Sequence, residues 1–200
     1  MKGFILGLIF GLLILPACFF WWLHHGNLPV AVADVPLPME KSITHQAMHR
    51  RIDAEAPVHP GMAASPTNLM LGAEVYRAQC AACHGLYGRP SSFGGRMFPA
   101  APQLWAPHDN GVVGVSDDTA GETYWKVKNG IRLSGMPAFS AVLNDAQMWQ
   151  VSILLAHAAD PLPNDVMTLL KQPLIPQADR QVPTGPSGPM EFPVVPLPQQ

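Results

Sequence analysis

The chain has 200 residues, 13% of them charged and 48% hydrophobic, with a formal net charge of −2. This balance excludes a basic nucleic-acid-binding face, and three cysteines do not make a disulfide framework. Charge well below the typical share of roughly 25% and 22 prolines, most of them outside the central third, leave room for one good core.

From Gly3 to Leu23 there is no charged residue. At about 1.5 Å per residue this run predicts a helix near 30 Å long, enough to cross a bilayer. Trp21 and Trp22 sit at its end as interface anchors, and Lys2 in front favours a cytoplasmic N-terminus with an exported remainder. Two other readings compete with a retained anchor over residues 1–25. Ala31-Val32-Ala33 resembles a signal-peptidase site, although the apolar run is longer than a usual signal core. Leu15 to Cys18, "LPAC", distantly resembles a lipoprotein box. A retained anchor is the expectation.

Residues 26–66 are rich in proline and alanine and read as a linker. Within them Ser42 to Ala56 predicts a short helix, with His45 and His49 four residues apart on one face. That spacing suits a metal, yet no third ligand is evident, and two solvent-facing histidines are the expected reading.

Residues 67–159 read as the folded domain. Helical spacing runs through Leu69, Gly72, Ala73, Tyr76 and Cys80. A long irregular loop follows over 86–118, rich in glycine and proline. A second helix starts at a cap on Asp118 or Thr119, carries Tyr124, Val127 and Ile131 on one stripe, and ends near Asn129-Gly130. A third starts at Asn144 and runs through Met148, Val151, Leu154 and Leu155. No alternating strand pattern appears. Residues 160–200 predict a helical turn or two and then an extended, proline-rich tail, read as disordered or as a docking strip for a partner complex.

The chemistry centres on "AQCAACHGLYG", residues 78–88. Cys80, Cys83 and His84 spell C-x-x-C-H, the attachment signature of a c-type haem. Two thiols about one helical turn apart can each add to a different vinyl group on one haem edge, and the adjacent imidazole can ligate the iron.

Together with Gly72, Tyr76, the following Gly85, "PQL" (Pro102 to Leu104) and "SGMPAF" (Ser134 to Phe139), this motif resembles class I c-type cytochromes over roughly residues 68–158. The resemblance implies an all-α, cytochrome c-like domain of three main helices and long loops around one covalent haem c, here preceded by one transmembrane helix. It implies that the N-terminal helix crosses the C-terminal helix at Gly72; Trp149 and Ile153 are the candidates for the facing contacts. His84 and Met136 are then the axial iron ligands. The carbonyl of Pro102 (or of its competitor Pro99) accepts from His84, and Leu104 packs on the haem. Met97 and Met148 compete for the sixth position, but Met136 is favoured by its loop and by the adjacent Pro137. Arg96 reads equally as a propionate partner or a solvated loop residue.

Such a site implies a one-electron carrier in which no side chain acts as acid, base or nucleophile. Its partners are a redox donor and acceptor, within or outside a larger membrane respiratory complex, with the haem on the periplasmic side of a bacterial inner membrane. An enzyme that reduces peroxide at a vacated sixth position and a gas sensor are the alternatives. No distal histidine–arginine pair for peroxide chemistry is evident. Lys126, Lys128 and Arg132 are candidates for a basic rim that steers an acidic partner.

Overall fold

The computed structural model describes residues 2–108 and 111–174. Among them are seven α-helices and no strand. The proline-rich end from residue 175, read above as an extended tail, lies outside the described residues.

Helix α1 (Lys2–His25) is apolar all round, with Pro16 inside it. Its stretch Gly3–His25 has a mean hydropathy of 2.5 and none of it is buried within the protein. A helix of that length and composition is suited to a bilayer, where lipid rather than protein covers the side chains.

Helices α3 (Pro66–Gln79), α5 (Ala120–Asn129) and α6 (Asp145–Ala156) form the centre of the domain. Each starts on a side-chain cap. The Ser65 hydroxyl accepts from the Asn68 amide at 3.2 Å. Thr119 with Glu122, and Asn144 with Gln147, form reciprocal capping boxes, which occupy amide groups a helix start leaves without partners. Helix α5 stops at Gly130, whose φ of 67° only glycine adopts freely.

Helices α3 and α6 cross at Gly72. A Cβ there would come within 2.3 Å of the Gln150 carbonyl oxygen and 3.1 Å of the Leu154 Cβ. The close approach is therefore to Gln150 and Leu154, one position along from the Trp149 and Ile153 expected from spacing. Trp149 instead stacks on Tyr124 of α5, centroids 4.2 Å apart. Tyr76, Val151, Ser152 and Leu154 at this crossing are fully buried.

Two segments outside this centre pack against it. Within residues 26–66, helix α2 (Glu40–Glu55) lies against α5. Its Ile52 is 1% exposed, a burial that contributes about 1.5–3 kcal/mol. The Trp125 indole donates to Glu55 Oε2 at 3.0 Å, an acceptor role that helps hold the Glu55 carboxyl below its ordinary pKa. Gly121 then sits so close to the Pro57 carbonyl oxygen that a Cβ would fall 1.9 Å from it, and Gly61 rests against the Trp149 ring. Among the described residues no group of three or more histidine, cysteine or acidic side chains is placed to hold a metal, His45 and His49 included.

At the other end, after a short helix α4 (Ala81–His84) and the elements above, helix α7 (Asn164–Lys171) docks on α3 through buried Val166 and Leu170. Arg77 of α3 donates to three main-chain carbonyls there: Leu169 at 2.8 Å, Gln172 at 2.5 Å and Pro173 at 3.3 Å. A guanidinium suits several acceptors at once because its donors are fixed in one plane.

Candidate functional site

The C-x-x-C-H motif lies at a break between α3 and α4. Cys80 ends α3 and begins α4 at φ −112° and ψ −37°. Its carbonyl accepts from the amides of Cys83, at 3.1 Å, and His84, at 2.9 Å, so both thiols and the imidazole issue from one tight turn. Both cysteines are free. Burial first, and the neighbouring Cys83 second, push the Cys80 thiol up to about 12. Until it reacts it is held as a neutral thiol in an apolar setting.

His84 follows, and Nδ1 lies 2.8 Å from the carbonyl oxygen of Pro102. A carbonyl only accepts, so Nδ1 carries the proton and the Nε2 lone pair is left for a metal. Burial lowers the imidazole pKa, outweighing the bond to Pro102, which raises it. The ring is thus kept in the neutral form that ligation needs.

The backbone behind the motif is pinned in several places. Tyr76, fully buried, donates its hydroxyl to the Gly85 carbonyl at 2.6 Å. Burial raises its pKa, so it stays a donor. Trp105 packs edge-on against Tyr76 with centroids 5.5 Å apart. Gly85 turns the chain at φ 76°, and the Leu104 amide donates to the His84 carbonyl at 3.3 Å. Leu104 itself is buried.

The loop over 86–118 is irregular, as expected, but anchored by polar groups. Ser91 donates its hydroxyl to the Ala82 carbonyl at 2.6 Å and accepts from the Gly94 amide at 3.1 Å. The Gln103 side-chain oxygen accepts from the Ser91 amide at 2.6 Å. Spacing offered no sign of these contacts, because single serines and glutamines in a glycine-rich loop carry no periodic signal.

Met136 stands on a loop that closes on itself. Its carbonyl accepts from Ile131 at 3.1 Å, and its amide donates to the Ser134 hydroxyl at 3.1 Å. Its side chain is half-buried and packs against the core, as do those of Phe139, Val113 and Val115. Arg96 is exposed. The three cations considered as a basic rim are differently placed. Lys126 pairs with Asp118 in a partly shielded contact, Lys128 lies over the Tyr124 ring at 5.6 Å, and Arg132 is exposed.

The donor set fits a covalently attached haem c. The attachment turn combines two free thiols with an imidazole whose Nε2 is open; the Met136 thioether stands on its own self-bonded loop. Residues 67–153 match the model of a protein family described as cytochrome c oxidase, cbb3-type, subunit III. No curated protein and no solved structure matches the chain.

Proposed function

We propose that the chain, whose residues 67–153 are a class I c-type cytochrome domain with one covalently bound haem c, is a membrane-anchored carrier of single electrons rather than an enzyme, with His84 and Met136 as the residues that would ligate the iron. When bound, haem c supplies a one-electron Fe(II)/Fe(III) couple.

The chain's own residues do the rest. Cys80 and Cys83 hold the group to the turn, and His84 Nε2 is presented by the bond from Nδ1 to Pro102. Met136 supplies a soft, neutral thioether, which favours the reduced state and sets a higher potential than a second imidazole. Held by both His84 and Met136, the group would have no open position for a substrate, and buried Leu104 would help keep water from it.

The observation that carries this reading is the His84 Nδ1–Pro102 contact at 2.8 Å on the turn that bears both thiols. It is the arrangement a fixed metal-ligating histidine requires.

The apolar α1 supports retention in a membrane, with the domain exported past it. Subunit status in a larger respiratory oxidoreductase is supported by the family description, which is that of an oxidase subunit. Helix α2 and residues to Gly61 pack on the domain, so the domain rests on its own N-terminal segment instead of trailing from it.

Fractionation tests the placement. Full-length, haem-stained chain is expected in a carbonate-washed membrane pellet, digestible by protease from the periplasmic side. A shortened, haem-stained chain in the soluble periplasmic fraction would mean cleavage after the apolar run and would refute the anchor.

A further inference from the structure

Gly135, directly before Met136, is exposed, and its backbone lies against the side chain of Met97. A Cβ there would lie 2.9 Å from the Met97 Sδ, 3.1 Å from its Cε and 3.8 Å from its Cγ. The half-buried Met97 thioether therefore runs along the backbone that presents Met136.

The other side of Met97 is tied to the haem-attachment turn. Its amide donates to the Gly94 carbonyl at 3.2 Å, which also accepts from Ala101 at 3.0 Å. Gly94 is pressed so close to the motif that a Cβ would fall 1.9 Å from the Cys83 carbonyl oxygen. Its amide is held by Ser91, whose hydroxyl reaches Ala82 between the two cysteines. A contiguous path thus runs from Cys83 through Gly94 and Met97 to Gly135 and Met136.

We propose that Met97 is a positioning residue, a brace that holds the methionine loop in place against the turn carrying His84. The proposal rests on Met136 being the sixth ligand. A flexible, polarizable thioether suits an irregular gap between two loops. The loop's remaining bonds, from Ile131 and Ser134, lie within it and close it on itself without fixing it to the attachment turn.

An outside ligand reaches the sixth position only in the fraction of molecules whose loop has lifted. Its apparent affinity scales with that fraction. Removing the brace raises the fraction, by about tenfold for the loss of one half-buried side chain.

The test is a spectrophotometric imidazole titration of the ferric holoprotein, wild type against Met97→Ala and Met97→Leu, with amide hydrogen exchange measured alongside. In Met97→Ala the imidazole dissociation constant is expected to fall about tenfold. The Gly135 and Met136 amides should exchange faster while those of α6 do not change. Met97→Leu, which keeps the bulk and loses the sulfur, should stay near wild type. Imidazole affinity and loop exchange unchanged in Met97→Ala, with the wild-type methionine-to-iron band present, would overturn the brace alone. A methionine band lost in Met97→Leu and kept in Met136→Ala would make Met97 the ligand and overturn both readings.

Discussion

Cys80→Ser/Cys83→Ser protein, produced in cells able to mature c-type haem, should show no haem-stained band on a denaturing gel at a position where an immunoblot still finds the chain. A serine hydroxyl does not add to a vinyl group, whereas a thiol does. The bond from cysteine sulfur to the haem edge is what survives denaturation. Each single variant retains one thioether and should stain more weakly than wild type. Undiminished staining in the double variant would mean that the group is not attached through this motif. The loss should extend beyond the cofactor. Met136, Phe139, Val113 and Val115 are only partly covered by the protein itself, and apolar surface left without a packing partner contributes little to stability.

The second large effect is expected at the helix crossing, far from any ligand atom. Gly72→Val places a branched side chain where a single Cβ already lies 2.3 Å from the Gln150 carbonyl oxygen and 2.8 Å from its carbon. The obstacle is main chain inside a helix, so it does not rotate away. Helices α3 and α6 must separate, and the packing of Tyr76, Val151 and Leu154 opens with them. Overpacking of this kind costs about 3 kcal/mol or more. In a small domain that lowers the thermal midpoint by roughly 10–20 °C. Circular dichroism melts of the holoprotein would read it. A midpoint within a few degrees of wild type would show slack at the crossing and contradict the geometry.

How much of this was legible beforehand follows from the range of each interaction. Helices α3, α5 and α6 rest on signals confined to one segment: an apolar face in each, and at α5 and α6 a threonine or asparagine cap with a glutamate or glutamine three residues on. Gly130 marks the end of α5 in the same local way. The turn at Cys80, Cys83 and His84 is legible because one short spacing serves one chemistry, and the Pro102 and Met136 positions follow from short motifs of a resembling family. The one-residue offset at Gly72 was not legible, since facing contacts between two helices depend on crossing geometry that neither sequence carries alone.

The packed half of residues 26–66 was hidden for a related reason. Helix α2 buries only Ile52 among its residues, so its sequence looks like a solvated helix in a linker. What holds it are pairings of distant residues, Glu55 with Trp125 and Pro57 with Gly121. Helix α7 is docked by Arg77 through main-chain carbonyls at Leu169, Gln172 and Pro173, and carbonyls have no residue identity to read. Met97 beside Gly135 belongs to the same class: two loop residues brought together by folding, with no periodicity to announce them.

The partner-facing surface also changes once the contacts are known. Lys126 and Lys128 are engaged within the domain by Asp118 and the Tyr124 ring, which leaves exposed Arg132 as the cation of that group without a partner among the described residues. A docking mode based on these three charges has less to work with than their spacing in the sequence implied.

The central claim is that Met136 completes the iron site of an electron carrier. Its most direct test is the visible spectrum of the oxidised protein in membranes, wild type against Met136→Ala. The wild type should show the weak long-wavelength charge-transfer band of methionine-to-iron(III) ligation, and the band should vanish in Met136→Ala. A wild-type spectrum without that band, together with ready carbon monoxide binding by the reduced haem, would contradict the assignment and put an open sixth position, and with it the enzyme or sensor readings, in its place.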